Sequence, residues 1–351
     1  MNNNNKEINA RIEETVLAMS KDLQDANNYH TLAQLYATES KFDKARSVYE
    51  SLLNIHSQDI QALINLGSLW FLEKDNRKAL SYYNQAMDLD PMNYLVFFNV
   101  GNVYAELKNF SKSLYYYNRA LDLNSVNPEI FNAIALLFHD FSDYVEAKAY
   151  YQKSLTIDEN NINANVDLGN VYFKLTDYKN SLLHHKKVFE LMPDNKTVAI
   201  CIGNSLSILK EKEEAFKYFE KALSIKGDNY KTYICMAIAD SEFQNYESAI
   251  ENYKKAIEAS PDKINAYILL GNLYSNLNQL DLAQEQYAKA LKVKSRDANT
   301  HMLIANAHYM QDNIEKALVS YRMAIKYEPD NDEYKLVYIQ ILDEYIDKKE
   351  N

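Results

Sequence analysis

The chain has 351 residues and a formal net charge of −11, from 38 Lys and Arg against 49 Asp and Glu. This acidic composition, with a pI near 5.2 and no cluster of Lys or Arg, disfavours binding to nucleic acid, which requires a basic surface. No run approaches 18 apolar residues, so no membrane-spanning segment is predicted. Only 6 Gly and 5 Pro occur, too few for many turns, which favours an almost entirely helical chain.

The first residues lack the apolar core and the small-residue cleavage site of a signal peptide. Two cysteines are too few for a disulfide framework. Together these features predict a cytoplasmic protein. Residues 6–24 are expected to form an amphipathic helix, because apolar side chains recur there at helical spacing: Ile8, Ile12, Val16, Met19 and Leu23.

From Ala26 to Asn331 the sequence repeats every 34 residues without insertion. The repeat is marked by glycines and prolines that lie 34 residues, or a multiple of 34, apart: Gly67, Gly101, Gly169, Gly203 and Gly271; Pro91, Pro193, Pro261 and Pro329. This period predicts nine units, and the positions in each unit are numbered 1 to 34 below. The units are 26–59, 60–93, 94–127, 128–161, 162–195, 196–229, 230–263, 264–297 and 298–331.

Each unit is predicted to be a pair of antiparallel helices. Positions 4, 7, 8 and 11 are mostly apolar at helical spacing, and so are positions 17, 20, 21, 24, 27 and 28. Position 8 is always Gly or Ala and position 20 always Ala or Ser, which lets the two helices approach closely. Position 24 supplies a large ring. A proline at position 32 is expected to end the second helix.

This pattern resembles the tetratricopeptide repeat. In the unit Ile60–Asn93 the residues that carry the resemblance are Leu66, Gly67, Trp70, Ala79, Tyr83, Ala86 and Pro91. The resemblance implies an all-α fold, a right-handed solenoid or superhelix of antiparallel helix pairs whose first helices line a concave wall. It also implies a protein-interaction scaffold rather than an enzyme.

The segments outside the repeats are interpreted as caps, because the end units of a solenoid must cover an apolar face. Residues 1–25 are assigned as a tail and capping helix, and residues 332–351 as a capping helix and tail. The second helix is predicted over residues 332–347 from its apolar and aromatic residues: Tyr334, Leu336, Tyr338, Ile341, Leu342 and Tyr345.

The resemblance implies a peptide-binding groove along positions 2, 5, 6, 9, 12 and 13. Position 5 is apolar in seven of nine units although it does not define the fold, and position 9 is Asn in five. The candidate groove residues are Ile64, Asn65, Phe71, Phe98, Asn99, Asn102, Val166, Asn170, Phe173, Ile200, Asn204, Ile234, Ile268, Asn272, Met302, Asn306 and Tyr309.

In this interpretation the Asn amides bind the backbone of an extended peptide, and the apolar residues of position 5 select its side chains. Position 5 is taken to lie outside the core, so lysines in place of Ile200 and Ile234 are expected to abolish binding without loss of stability. The alternative of a consensus scaffold without a peptide groove also stays open, because Gly-Asn at positions 8 and 9 is the family consensus. The sequence is also compatible with a self-associating assembly protein and with the targeting subunit of a separate enzyme.

One mode of binding within the family is disfavoured. Members that clamp a C-terminal carboxylate use Lys at position 5 and Arg at position 6, among other residues. No position 5 in this chain is Lys and no position 6 is Arg. The sequence therefore argues against recognition of Hsp70 or Hsp90 tails by that clamp.

No catalytic, cofactor-binding or metal-binding residues are predicted. His301 and His308 fall at positions 4 and 11, which are core positions, and they are not at the i, i+4 spacing that helical metal pairs prefer. No P-loop, GxGxxG, HExxH or GxSxG string occurs. Only 45 residues lie outside the repeats, so the chain is expected to be a non-enzymatic protein.

Two further features give expectations about local structure. Cys201 and Cys235 both occupy position 6 on neighbouring first helices, about 8–10 Å apart, too far for a disulfide, so both should be free thiols. Asp240 stands at position 11, where most units have an aromatic residue. We expect a packing defect there, with Tyr253 as the hydrogen-bond partner of the carboxyl and with stabilisation by Asp240→Tyr.

Overall fold

The computed structural model describes the backbone of residues 2–350 and the side chains of residues 7–349. Over these residues the chain is an all-α solenoid of twenty helices without a strand, as the 34-residue period predicts. The chain divides into two compact units, Met1–Thr176 (unit 1) and Asp177–Asn351 (unit 2). In the described part of the chain, no helix combines the length and apolar character needed to cross a bilayer.

Unit 1 contains ten helices, each packed on its neighbours in sequence. They are α1 (Asn2–Lys21), α2 (Ala26–Thr38), α3 (Phe42–Ile55), α4 (Ile60–Leu72), α5 (Asn76–Leu89), α6 (Tyr94–Glu106), α7 (Phe110–Leu123), α8 (Pro128–Asp140), α9 (Tyr144–Ile157) and α10 (Ile162–Lys174). From α2 onward the first helices of the predicted units begin 34 residues apart.

Unit 2 contains the other ten helices. They are α11 (Tyr178–Leu191), α12 (Lys196–Ile208), α13 (Lys212–Ser224), α14 (Tyr230–Glu242), α15 (Tyr246–Ala259), α16 (Ile264–Asn276), α17 (Leu280–Val293), α18 (Ala298–Met310), α19 (Ile314–Tyr327) and α20 (Asp332–Glu350). The helix starts keep the same 34-residue interval, while the division of residues 26–331 into nine units stays a prediction.

The first helices begin at capping residues that the repeat places at position 34. The side chains of Asp59, Asn93, Asn127 and Asn161 each accept a hydrogen bond from a backbone N–H in the first turn of the helix that follows. Such caps satisfy donors that have no partner inside the helix. The second helices end two residues before the prolines of position 32, as predicted; α5, for example, ends at Leu89, before Pro91.

The turn inside each helix pair depends on one residue in the left-handed conformation, always at position 15 and never a glycine. The nine residues are Ser40, Lys74, Lys108, Ser142, Thr176, Lys210, Gln244, Asn278 and Asp312. At Lys74, where φ is 65°, the next N–H, of Asp75, donates to the carbonyl of Trp70 at 2.9 Å. This closure satisfies carbonyls at the helix end and offsets the roughly 1–2 kcal/mol that the conformation costs a residue with a side chain.

A close contact joins position 8 to the ring at position 24. A Cβ atom added to Gly271 would lie 2.4 Å from the Tyr287 ring, and one added to Gly67 would lie 2.5 Å from the Tyr83 ring. Both rings are almost fully buried. The small residue therefore lets the ring of the second helix lie directly against the backbone of the first, as predicted.

One turn departs from the pattern. Gly227 replaces the proline of position 32 and adopts a φ of 132°, and α13 is one residue shorter than the other second helices of the repeats. Asn229, two residues later at position 34, makes no side-chain hydrogen bond that caps α14. Instead, the Lys196 ammonium donates to the Gly227 carbonyl at 3.1 Å and to the Asn229 side chain at 2.7 Å. A lysine of the same predicted unit thus holds the irregular turn.

The two end helices differ in part from their predicted form. α1 begins at Asn2 and ends at Lys21, rather than spanning residues 6–24, and Val16 and Leu23 are largely exposed although they were predicted to lie on its packing face. α20 continues to Glu350, beyond the predicted residue 347, and Leu336 is 59% exposed. The tails expected at the two ends stay a prediction, and Met1 and Asn351 lie outside the described residues.

The Asp240 carboxylate is buried, with 3% of the residue exposed, but it has partners. It accepts hydrogen bonds from the side-chain amides of Asn252 at 2.9 Å and Asn245 at 3.3 Å. The predicted partner was wrong, because the hydroxyl of Tyr253 lies beside Ser241 instead. Burial raises the pKa of Asp240, and the two amides partly oppose that rise by stabilising the charged form.

The Asp240–Asn252 pair takes the place of a stacked aromatic pair. Positions 11 and 23 are Tyr104 and Tyr116 in one unit, with ring centroids 5.5 Å apart and an interplanar angle of 7°. In the next repeat, Phe138 and Tyr150 also stack, with ring centroids 5.6 Å apart. Because both members change together, the expectation of a packing defect at Asp240 was wrong.

We predict that Asp240→Tyr alone destabilises the chain by about 1–3 kcal/mol, because the buried amide of Asn252 loses its acceptor. Adding Asn252→Tyr should recover most of the loss by forming the ring pair seen at Tyr104 and Tyr116. Urea denaturation of the wild type, both single variants and the double variant measures the coupling between the two positions. Stabilisation by Asp240→Tyr alone would contradict the structural role assigned to the carboxylate.

Candidate functional site

The first helices of the pairs form one layer in each of the two compact units, unit 1 and unit 2. In unit 1, α4 contacts α6, α6 contacts α8 and α8 contacts α10; in unit 2, α12 contacts α14. We call the layer of α2, α4, α6, α8 and α10 the first-helix wall of unit 1, and the layer of α12, α14, α16 and α18 the first-helix wall of unit 2. All the predicted groove residues lie on these two walls.

The asparagines of position 9 are oriented by tyrosines of position 24. The Tyr117 hydroxyl donates to Asn102 Oδ1 at 2.7 Å, and the Tyr287 hydroxyl donates to Asn272 Oδ1 at 2.8 Å. The hydroxyl of Tyr321 makes the same bond to the Asn306 side chain. Each of these half-buried amides has Oδ1 engaged by a hydroxyl. Asn306 Nδ2 also donates, to Met302 Sδ at 3.3 Å, whereas Nδ2 of Asn102 and of Asn272 has no hydrogen-bonded acceptor among the described residues.

The tyrosines in these pairs stay protonated at neutral pH. Burial raises the pKa of Tyr117, Tyr287 and Tyr321 to about 12. A neutral hydroxyl keeps the hydrogen that it donates to the amide. The orientation of each asparagine is therefore insensitive to pH across the physiological range.

The other candidate amides have different partners. Asn65 donates to the Tyr49 hydroxyl at 2.9 Å and accepts from Gln61 at 3.0 Å. Position 24 of the repeat that contains Asn204 is Phe219, a ring without a hydroxyl, and Asn204 lies close enough to the Cys235 thiol to oppose the rise in its pKa. The remaining candidates of positions 6, 9 and 12 on α4, α6 and α10 are half-buried: Phe71, Asn99, Asn170 and Phe173.

The burial of three residues at position 5 contradicts their predicted place in the groove. Ile64, Ile200 and Ile234 are only 3%, 2% and 8% exposed, so they are part of the core and cannot contact a ligand. Ile64 packs with residues of the next first helix, and Ile234 packs in the core of unit 2. The other apolar candidates at this position are half-buried: Phe98, Val166, Ile268 and Met302.

Most of the exposed apolar side chains of the walls were not predicted from the sequence pattern. At position 9, Leu136 is 48% and Ile238 is 43% exposed. Positions 12 and 13 add further exposed residues: Leu72, Ile208, Tyr309 and Met310. Of these only Tyr309 was predicted. An aliphatic residue that interrupts the series of polar residues at position 9 is the signal that could have identified Leu136 and Ile238.

Cys201 and Cys235 are free thiols, as their spacing predicts. Both are partly exposed on the wall of unit 2. Burial raises the pKa of each thiol, so neither is a thiolate at neutral pH. This environment does not activate them as nucleophiles.

The histidines of α18 have structural partners. His308 Nδ1 lies 3.0 Å from Gln284 Nε2, and burial lowers the pKa of His308. His301 Nε2 lies 3.3 Å from the Ser295 carbonyl. Within residues 7–349 no group of three or more His, Cys, Asp or Glu side chains is arranged to hold a metal ion.

Comparison with known proteins gives a consistent result. Family models described as tetratricopeptide repeats match residues 30–93, 74–128, 128–161, 202–229 and 264–297, and one described as a TPR repeat matches residues 242–278. Together these ranges cover 216 of the 351 residues. No curated protein matches the sequence.

The solved structures that resemble the fold include the following two. A tetratricopeptide repeat protein from Parabacteroides merdae is 16% identical, with a TM-score of 0.58 over 71% of this chain and 98% of its own. The PilF protein of Pseudomonas aeruginosa is 16% identical, with a TM-score of 0.52 over 64% of this chain and 99% of its own. At this level of identity the likeness concerns the fold alone.

The burial of position 5 can be tested within one helix. We predict that Ile234→Lys destabilises the chain by about 3 kcal/mol or more, because it places an unpaired charge in the core. Ile238→Lys, one turn further along α14, should change stability by less than about 0.5 kcal/mol, since Ile238 is half exposed. Urea denaturation followed by circular dichroism compares the two variants, and equal stability would contradict this assignment.

Proposed function

The chain belongs to the tetratricopeptide repeat family, and from that premise we propose that it is a non-enzymatic protein-interaction scaffold. Its first-helix walls bind extended peptide segments of a partner protein. The candidate groove residues in contact with the partner are those of positions 6, 9 and 12, together with the half-buried residues of position 5. The buried Ile64, Ile200 and Ile234 are excluded from that set.

The observation that carries this proposal is the orientation of the amides by the tyrosines. Asn102 and Asn272 each have Oδ1 engaged by a hydroxyl, which leaves Nδ2 to donate to the carbonyls of a bound backbone, whereas Asn306 Nδ2 already donates to Met302 Sδ. Such contacts hold a peptide without reading its side chains. Because the amides are already fixed, binding does not require their side-chain rotation to be frozen, which favours affinity.

Specificity in this proposal comes from the apolar side chains between the amides. Leu136 on the wall of unit 1 and Ile238 on the wall of unit 2 stand where other units present a polar residue. A half-exposed aliphatic side chain next to fixed donors suits a peptide whose backbone is hydrogen-bonded and whose apolar side chain is buried. Replacement of either residue by a charged one should therefore weaken binding.

The compartment that we propose is the cytoplasm. The two thiols are free, and a reducing compartment keeps such thiols from oxidation. The net charge of −11 favours partners that carry basic segments and disfavours nucleic acid.

Self-association is the second candidate function, and α20 supports it. Three exposed aliphatic side chains share one face of that helix: Leu336, Ile339 and Ile346. The first turn of α20 is acidic and its last turn is basic. A second copy lying antiparallel on α20 would cover the aliphatic face and place opposite charges next to each other.

The binding surface can be tested with a random 12-residue peptide display library and the purified full chain. The wild type should enrich peptides. Ile238→Lys should weaken the binding of those that contact the wall of unit 2 by about tenfold or more, because a solvated charge then faces an apolar side chain of the peptide. Leu282→Lys is the matched control, since Leu282 is 41% exposed on a second helix and should leave binding unchanged. If the library yields no binders, the proposed function is wrong.

Self-association can be tested by light scattering at two protein concentrations. The apparent mass should rise with concentration in the wild type and stay monomeric in Ile339→Glu, which places a charge on the aliphatic face of α20. Val319→Glu, at an exposed site on α19, is the control and should behave as the wild type. A wild-type mass that does not change with concentration would reject this candidate.

A further inference from the structure

The first helices α16 and α18 of unit 2 are built without charged residues. None of the 13 residues of Ile264–Asn276, and none of the 13 residues of Ala298–Met310, is Asp, Glu, Lys or Arg. Each of the second helices beside them, α17 and α19, has 14 residues, of which four are charged: Asp281, Glu285, Lys289 and Lys292; Glu315, Lys316, Arg322 and Lys326. In these two repeats the charge is therefore confined to the second helices and the turns, away from the wall. The first helices α2 and α4 of unit 1 share this composition.

The wall side of α16 and α18 is nevertheless accessible. Its exposed residues are Asn265, Asn276, Asn299, Tyr309 and Met310, and its half-buried residues at positions 5, 6, 9 and 12 are Ile268, Leu269, Asn272, Ser275, Met302, Leu303 and Asn306. A surface that keeps a chain in solution usually carries about 25–35% charged residues. This one consists of amides, a hydroxyl, aliphatic and thioether groups and one phenol ring.

One polar donor on this surface is both fixed and available. Asn272 Oδ1 accepts from the Tyr287 hydroxyl at 2.8 Å, and Nδ2 has no hydrogen-bonded acceptor among the described residues. On α18 the equivalent Asn306 is engaged at both ends, by the Tyr321 hydroxyl and by Met302 Sδ at 3.3 Å. The surface therefore offers a backbone carbonyl one donor from α16 and apolar contacts from α18.

Two carboxylates that border this surface are already paired. Glu344 of α20 accepts from the Tyr309 hydroxyl at 2.7 Å and pairs with Lys348 at 3.1 Å. Asp297, directly before α18, pairs with Lys294 at 2.8 Å. Neither carboxylate therefore supplies an unpaired charge to a basic side chain of a ligand.

We propose that the surface of α16 and α18 binds a stretch of the partner's extended segment without charged side chains, and that it discriminates against a charge of either sign. This inference rests on the proposed function. A charged side chain placed here loses hydration and gains no counter-ion, whereas an uncharged one does not incur that cost. Aliphatic side chains of the ligand pack on Met310 and on the Tyr309 ring, and one of its carbonyls accepts from Asn272. Basic segments of the partner, which the net charge of −11 attracts, lie outside this surface.

The test uses the full chain and the random 12-residue display library. Peptides that bind this surface are identified with Met310→Ala, an uncharged change that should weaken them by about threefold or more because it removes apolar contact. Those peptides should lack Asp, Glu, Lys and Arg at their central positions. Their dissociation constants should change by less than about twofold between about 50 mM and about 500 mM NaCl, since salt screens interactions between charges.

A selected peptide then tests the discrimination directly. Lys or Glu at one central position should each weaken binding to the wild type by about tenfold or more. Asn272→Asp keeps an acceptor for the Tyr287 hydroxyl and adds a carboxylate, so it should restore the Lys peptide by about tenfold and leave the Glu peptide weak. Ala288→Asp, which adds the same charge at an exposed site on α17, is the matched control and should restore neither. Circular dichroism checks that both variants are folded.

The outcomes separate the two proposals. If no peptide binds the wild type, the proposed function fails and this inference fails with it. If peptides bind but none depends on Met310, or if those that do carry a charged residue at a fixed position, the inference is wrong while the proposed function stands. A loss with Lys but not with Glu, or the reverse, would show an electrostatic preference and would also overturn the inference.

Discussion

The structure depends on the contact between the small residue of position 8 and the ring of position 24. At Gly271 and Tyr287 even one added methyl group would overlap the ring. This contact sets how closely the two helices of a pair approach, and the 34-residue period carries it along the chain. It also places the tyrosine hydroxyl beside position 9 of the first helix, where it meets Asn272. The packing of the pair and the orientation of the surface amide are therefore consequences of one contact.

The same geometry explains why a change at position 9 has two effects. Where the residue is asparagine, as in Asn102, the hydroxyl of Tyr117 is satisfied and the amide is held through its Oδ1. Where it is Leu136, the hydroxyl of Tyr151 has no amide acceptor at position 9 and an aliphatic side chain is exposed.

Asp240 shows the opposite case. Its partner at position 23, Asn252, is also changed, and the two form a buried hydrogen bond where Tyr104 and Tyr116 stack. A substitution that comes with its complement preserves the fold and needs no ligand. Comparing the partners of an unusual residue is thus the way to separate structural variation from a binding site in this chain.

The sequence by itself determined the helices and their pairing, because a 34-residue period with a small residue at position 8 and a ring at position 24 permits one arrangement of each pair. The helix starts and the ends before the prolines followed from the same pattern. The tertiary structure alone decided which side chains are accessible. Ile234 and Ile238 are both isoleucines on α14, one turn apart, yet the first is buried and the second is half exposed. Their burial depends on the helices packed against α14, and the spacing of residues within a single helix carries no information about how far a neighbouring helix extends over its edge.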